Sequence, residues 1–198
     1  MHGIVTKTTG SWYWVKDASN TIHNCRIKGK FRIKGIKSTN PIAVGDRVEF
    51  EIFDDENKVI NHIHDRKNYI IRKATNLSKQ THIIAANLDQ ALLIVTLAQP
   101  RTPLGFIDRF LACAEVYDIP VKIIINKSDL IDNSQIIAFK EIYEKIGYQC
   151  QATSVISKNG LIQLKELIIN KTSLLSGHSG VGKSSLINAI EPKLNIKT

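Results

Sequence analysis

The stretch SGHSGVGKSS, residues 176–185, lies near the end of a 198-residue chain, and its reading decides the fold. Gly177, His178, Ser179, Gly180, Val181, Gly182, Lys183 and Ser184 fit G-x-x-x-x-G-K-[ST], with Ser185 following. Before it runs TSLLS, a short apolar segment with the look of a buried strand, and GKSSLINAI then opens a helical period. Strand, glycine-rich turn and helix N-terminus are the context in which this motif cradles phosphate. The glycines let backbone N–H groups turn inward around phosphate oxygens, Lys183 supplies charge to the β- and γ-phosphates, and Ser184 is the expected Mg²⁺ ligand. A chance glycine-rich loop is the competing reading, and the flanking pattern disfavours it.

Working back from this loop, apolar runs alternate with helical patterns. QALLIVTLA (90–98) and VKIIIN (121–126) read as buried strands, with GFIDRFLACAEVYD (105–118) as the helix between them. SQIIAFKEIYEKIG reads as a helix with Asn133 or Ser134 as N-cap and Gly147 as its stop. YQCQAT follows as a strand and LIQLKELIIN as a helix. Strands separated by helices of this length predict a parallel sheet with right-handed crossovers.

A phosphate loop does not choose between ATP and GTP, but NKSD (126–129), directly after VKIII, resembles the base-reading motif of GTPases. That resemblance implies that Asp129 accepts from the N–H edges of guanine, that Asn126 reaches its O6 or N7 side, and that the Lys127 stem covers the ring, with Ser128 between. Adenine lacks those donors. Ser154 and Val155, in TSVISKNGL, resemble the Ser-Ala loop that closes over guanine in the same proteins. A turn with an aspartate N-cap is the competing reading of NKSD taken alone. In an ordinary GTPase the phosphate loop comes first. Here it comes last, which is the order of a circular permutation, feasible because the termini of compact domains often lie close together.

The first part of the chain has another grammar. GIVTKTT, SWYWVKD, DRVEFEIF and KVINHIHD are short extended segments separated by runs rich in Asn, Asp, Ser and Pro, the pattern of a small all-β barrel. Within NTIHNCRIKGKFRIKGIK, the cations Arg26, Lys28, Lys30, Arg32 and Lys34 fall on alternate residues, and so on one strand face, with Ile27, Phe31 and Ile33 on the other. This face is a candidate phosphate-backbone contact; a solvated face that discourages edge pairing is the alternative. Trp12 and Trp14 share a strand face and are read as core rather than as base-stacking platforms. His62 and His64 share a face too; no carboxylate or cysteine stands at ligand spacing, and they are read as surface residues.

Composition agrees with this division. The net charge is +9, and residues 1–80 hold 15 Lys and Arg against 8 Asp and Glu while residues 81–198 hold 12 against 10, so the basic character belongs to the first part. A basic module beside a nearly neutral one suggests a polyanion partner for the former. Cys25, Cys113 and Cys150 are widely spaced and odd in number, which argues against a disulfide framework or a zinc knuckle. No run of eighteen apolar residues and no secretion signal occur, so a cytoplasmic protein without a membrane partner is expected.

NCRIKGKFR, VGDRVEFE, DRKNYIIR, AANLDQALLIV, FIDRFLACAE, INKSDL and GHSGVGKSSLINAI together resemble the landmarks of the RsgA (YjeQ-type) family of circularly permuted GTPases along the whole chain. The resemblance implies an OB-fold barrel over residues 1–68 that contacts ribosomal RNA, and a permuted α/β P-loop GTPase domain over 69–198. It further implies GTP or GDP with Mg²⁺ as ligands, a monomer, and GTP hydrolysis in late maturation of the small (30S) ribosomal subunit. That family continues into a threonine-containing switch, a D-x-x-G motif and a zinc-binding domain. No D-x-x-G follows Lys183 and fourteen residues follow Ser184, so these residues are expected to be a piece of a longer protein, with no catalytic group assigned within them and zinc expected only in the further domain. Two alternatives stay open. A P-loop ATPase or kinase leaves NKSD unexplained, and an RNA-binding module without hydrolysis would bind RNA regardless of GTP.

The cationic strand generates a first test. If its five cations neutralise phosphates, replacing three of them with serine should flatten the salt dependence of RNA binding by about 0.7–0.9 log–log units per lost contact, with nucleotide binding retained. An unaltered slope in filter-binding titrations would identify a solvated face.

Overall fold

The structure, a computed structural model, describes residues 1–27, 41–54, 57–73 and 81–197. It divides into two compact units, Met1–Leu88 and Asp89–Thr198.

In the first unit, β1 (His2–Thr9), β2 (Trp12–Asp17), β3 (Ile22–Ile27), β4 (Arg47–Ile52) and β5 (Lys58–Ile63) close into a barrel of order β1-β2-β3-β5-β4. All neighbours are antiparallel except β3 and β5, the arrangement of an OB-fold. The two-residue period of each strand sends Val5, Tyr13, Val15, Cys25, Val48, Phe50 and Ile60 inward, joined by Ile42 from the segment before β4. Cys25 behaves as a small hydrophobe, and burial pushes its thiol up to about 11. Trp12 and Trp14 correct the sequence reading: Tyr13 and Val15 take the core side of β2, so both tryptophans must face outward. Each lies under a cation there, Lys7 Nζ 4.8 Å from the Trp14 ring and Arg26 Cζ 4.2 Å from that of Trp12. Of the predicted cationic face only Arg26, exposed at the end of β3, is described; Lys28, Lys30, Arg32 and Lys34 lie outside the described residues.

VGDRVEFE earns its place through a buried carboxylate. Asp46, fully buried, accepts from Arg66 Nε and Nη2 at 2.6 Å each and from the Ala43 amide at 2.8 Å. The Arg66 fork also reaches the Pro41 carbonyl, 2.9 Å away. Gly45, at φ +92°, passes so close to the next element that a Cβ would stand 2.0 Å from the Ala86 carbonyl oxygen. That element is a hairpin of β6 (Tyr69–Lys73) and β7 (Thr81–Ala86). The Ala86 amide donates to the Val44 carbonyl (2.8 Å) and the Asn87 side chain to that of Gly45 (2.9 Å). The hairpin therefore belongs to the barrel unit, and the compact division falls after Leu88 rather than at the expected 68/69 boundary.

The second unit contains a parallel sheet of order β10-β9-β8-β11, built from β8 (Gln90–Val95), β9 (Val121–Ile125), β10 (Gln149–Ala152) and β11 (Ser173–Ser176). Between them run α1 (Leu104–Val116), α2 (Asn133–Glu144) and α3 (Leu161–Ile168), and α4 (Lys183–Ile190) follows β11. The chain steps outward from β8 to β10 and then returns to β11. Right-handed crossovers therefore place α1 and α2 on one face and α3 on the other. Tyr143 of α2 donates to Asp108 of α1 at 3.0 Å, and on the opposite face Leu92, Ile94 and Ile124 pack with Leu164 of α3 and with Leu186 and Ile190 of α4. The N-cap of α2 is Asp132, not Asn133 or Ser134: its backbone is still extended, and Asn133 is the first helical residue. Among the described residues no helix is long and apolar enough to cross a membrane.

Asp17 closes the β2–β3 turn, accepting from the Ser19 amide and hydroxyl, the Thr21 amide and His23 Nε2. The His23 and Ser19 side-chain bonds hold its carboxyl down at about 2. A depressed folded value contributes stability above the ordinary carboxylate range that is lost as pH falls towards 2. Asp17→Asn should therefore lower the barrel's urea midpoint at pH 7, and the gap from wild type should close between about pH 4 and pH 2. A constant gap across that range would remove the charge from the account.

Candidate nucleotide site

The loops after β8, β9, β10 and β11 all emerge at the carboxyl ends of a parallel sheet, with the switch in chain direction beside β8 and β11. This is where open α/β sheets bind ligands. The phosphate loop follows β11 at that switch, and NKSD follows β9.

Asn126 joins the two. Its side chain is buried, its Nδ2 donates to the Val181 carbonyl at 2.8 Å, and its Oδ1 accepts from Thr153 Oγ1 at 3.2 Å. The Asn126 amide N–H donates to the Val95 carbonyl at 2.8 Å, so the residue is held from two loops and the end of β8 at once. Gly182, at φ +91°, is required by the same contact: a Cβ there would lie 2.5 Å from Asn126 Nδ2. Gly177 crosses the end of β8 just as closely, its would-be Cβ 2.3 Å from the Ile94 carbonyl oxygen. Gly182 then serves as N-cap of α4, whose first residue is Lys183. The Lys183 ammonium bends back into the loop and donates to the carbonyls of Gly177 (2.8 Å) and His178 (2.7 Å). A phosphate group presented to this loop would meet that ammonium, the loop amides and the positive end of α4 together.

The remaining base-motif residues converge as expected. Lys127 takes a left-handed conformation, φ +57°, and its Nζ donates to the Gln99 carbonyl at 2.8 Å, which draws the stem toward the loop after β8. Ser128 begins a single 3-10 turn, Ser128–Leu130, and its amide donates to the Thr153 carbonyl at 3.1 Å. Asp129 is exposed, and its Oδ1 accepts from the buried Ser154 hydroxyl at 2.5 Å; Ser154 Oγ in turn accepts from the Ser157 amide. Val155 packs against the α3–α4 core and so anchors the loop carrying Ser154. An ionised carboxylate has about four acceptor directions, so Asp129 can hold Ser154 and still face a pair of N–H donors. Ser179 and Gly180 are exposed at the loop tip, while Ser184 and Ser185 are partly buried in the first turn of α4. The loops thus bring an exposed carboxylate and an ammonium beside a helix N-terminus to one end of the sheet, joined by one carboxamide.

Comparison with known proteins agrees with the geometry over both units. The sequence pattern of the RsgA GTPase family matches residues 63–198 and that of the RsgA N-terminal domain matches residues 2–60. The chain belongs to the RsgA family. Relatives named small ribosomal subunit biogenesis GTPase RsgA, from Flavobacterium johnsoniae and Bacteroides fragilis, are 52% and 51% identical over the whole of this chain. The chain spans 63% and 65% of their lengths. Among solved structures, YjeQ from Thermotoga maritima superposes with a TM-score of 0.77 at 35% identity, over 99% of this chain and 66% of that one. YloQ, described as a circularly permuted GTPase, gives 0.72 at 34% identity over 97% and 64%. The permuted order read from the RsgA-like motifs is therefore the order of the fold.

Several contributors to this site carry no motif. Thr153 orients Asn126, the Gln99 carbonyl receives Lys127, and Phe106 of α1 stacks on His178 with ring centroids 3.9 Å apart. In the sequence Gln99 and Thr153 are marked by proximity to the ends of predicted strands, and Phe106 by its place in the predicted helix 105–118. Asn126→Ala would leave the Val181 carbonyl and the Thr153 hydroxyl without their partner, a cost of about 1–3 kcal/mol. The variant's apo second unit should unfold at lower denaturant. If apo stability were unchanged and only nucleotide affinity fell, the carboxamide would be a ligand contact and not a structural joint.

Proposed function

We propose that this chain binds guanine nucleotides with Mg²⁺, and that the protein it represents hydrolyses GTP during maturation of the small ribosomal subunit. The arrangement that supports the reading is the Asn126 bond to Val181, which ties the loop carrying Asp129 to the loop carrying Lys183. In this reading Asp129 accepts from the guanine N–H edge, Asn126 and the Lys127 stem border the ring, Ser128 shapes the turn, and Ser154 and Val155 close over the base. Gly177 to Ser185 hold the phosphates, Lys183 neutralises them, and Ser184 is the Mg²⁺ ligand. The glycine-lined turn, the inward ammonium and the helix N-terminus fit a polyphosphate. The bound ion would neutralise phosphate charge, while Lys183 and the loop amides fix the chain's own share of the contact.

The names of the relatives support the ribosomal part of the proposal. RNA is assigned to the barrel, through Arg26, Lys28, Lys30, Arg32 and Lys34. The outward Trp12, stacked with Arg26, adds an aromatic surface beside that strand. A cytoplasmic monomer on the small subunit completes the proposal.

Base choice tests it. Titration should show GDP binding far more tightly than ADP. Asp129→Asn, which faces the guanine N–H groups with a donor, should cost guanine affinity about 1–3 kcal/mol and raise affinity for xanthine nucleotides. Equal binding of GDP and ADP would return the ATPase reading.

A further inference from the structure

The outer face of the barrel brings together side chains that are far apart in sequence. His2 in β1 pairs with Glu49 in β4, and Glu49 pairs with His62 in β5, so closure of the barrel lines up β1, β4 and β5. Just beyond β5, His64 turns back to the same place: its Nε2 lies 3.3 Å from Glu49 Oε1, and its amide donates to the Arg47 carbonyl at 2.9 Å. His2 Nδ1 lies 3.9 Å from the same carboxylate oxygen. Ligand atoms of His2, Glu49 and His64 all fall within 4.8 Å of one another.

We propose that His2, Glu49 and His64 form a binding site for a divalent transition metal of the zinc type, which clips the first strand to the two strands that close the barrel. Two imidazoles and one carboxylate form a donor set of the kind found in open zinc sites, with the fourth position left to water. Tetrahedral coordination at about 2.0–2.1 Å from the metal puts neighbouring ligand atoms about 3.3 Å apart. The His64–Glu49 pair already has that spacing. The other approaches need closures that a turn of the His2 imidazole, 76% exposed, supplies without moving the backbone. The backbone itself is fixed, since the Phe50 amide donates to the Met1 carbonyl at 2.9 Å beside the site.

The simpler account of the cluster is an ion pair between Glu49 and a protonated imidazole, with no ion to hold. Arg47 and Lys16 line the same surface depression together with Asp17 and Asp65, so the charges around the cluster balance; its exposure to solvent sets the affinity below that of an enclosed zinc site. Thiol competition is small on the residues that are sealed away: burial pushes Cys25 and Cys150 up to about 11 each.

The experiment is zinc chloride titration of the 198-residue chain by calorimetry at pH 7.5, with thermal melts in parallel. One zinc per chain is expected, with a melting midpoint that rises with zinc concentration by mass action. Nickel should substitute; magnesium, a hard ion that prefers oxygen, should not. Loss even of a residue behind a ligand costs 10–100-fold in affinity, so His2→Gln, Glu49→Gln and His64→Gln should each weaken zinc by at least about 10-fold and abolish the melting shift. His2→Gln changes a side chain that is mostly in solvent, so its effect is not confounded by misfolding. Zinc binding unchanged in that variant, no binding at 100-fold excess zinc, or an equal melting shift with magnesium would each overturn the site.

Discussion

A single carboxamide sets the geometry of the second unit. Asn126 hydrogen-bonds the Val181 carbonyl across 55 residues of sequence, and Gly182 lacks a side chain where that amide needs the room. Once those contacts form, the loops after β9 and β11 occupy fixed places at the end of the sheet, and the amide of Asn126 ties both to β8 through Val95. Chain order does not enter into this. What the contact requires is that the two loops lie side by side, which the strand order provides whichever loop is made first. The reversed succession of motifs is for that reason compatible with an ordinary arrangement of the cleft.

Buried polar groups play the same part in the barrel. Asp46 has no exposed surface and is satisfied by two nitrogens of Arg66 and a backbone amide. A buried ion pair contributes less net stability than its short distances suggest, because both partners give up water. Its value is positional. The forked guanidinium fixes the segment from Pro41 to Asp46, and with it the path of the chain into β4.

Much of this was legible in the sequence because it depends on periodicity. The strands and helices of the second unit fall where apolar runs and helical periods predict, and the residues of the phosphate loop and NKSD gather as their motifs imply. Misreadings arose where a choice is settled only by packing. Trp12 and Trp14 look like core by size, but Val15 fixes which side of β2 faces inward and Tyr13 follows it. The hairpin after residue 68 falls with the GTPase pattern in sequence, residues 63–198, while its contacts with Val44 and Gly45 group it with the barrel, a grouping that nothing local records. His62 and His64 showed no carboxylate at ligand spacing, since Glu49 comes beside His64 only when β4 pairs with β5. Contacts such as the Ser154 hydroxyl on Asp129 follow once the fold is known, but their spacing of 25 residues gives no sign in advance.

The tight passage of Gly45 under Ala86 bears on how such proteins can be recombined. A natural or engineered exchange that swapped a foreign barrel in at residue 68 would keep a glycine whose reason for being a glycine had been left on the other parent. The retained Ala86 amide and Asn87 side chain would also lose the Val44 and Gly45 carbonyls to which they donate. Inheritance of the first unit as a single piece through Leu88 avoids both losses, so breakpoints between viable chimaeras should cluster after the hairpin rather than before it.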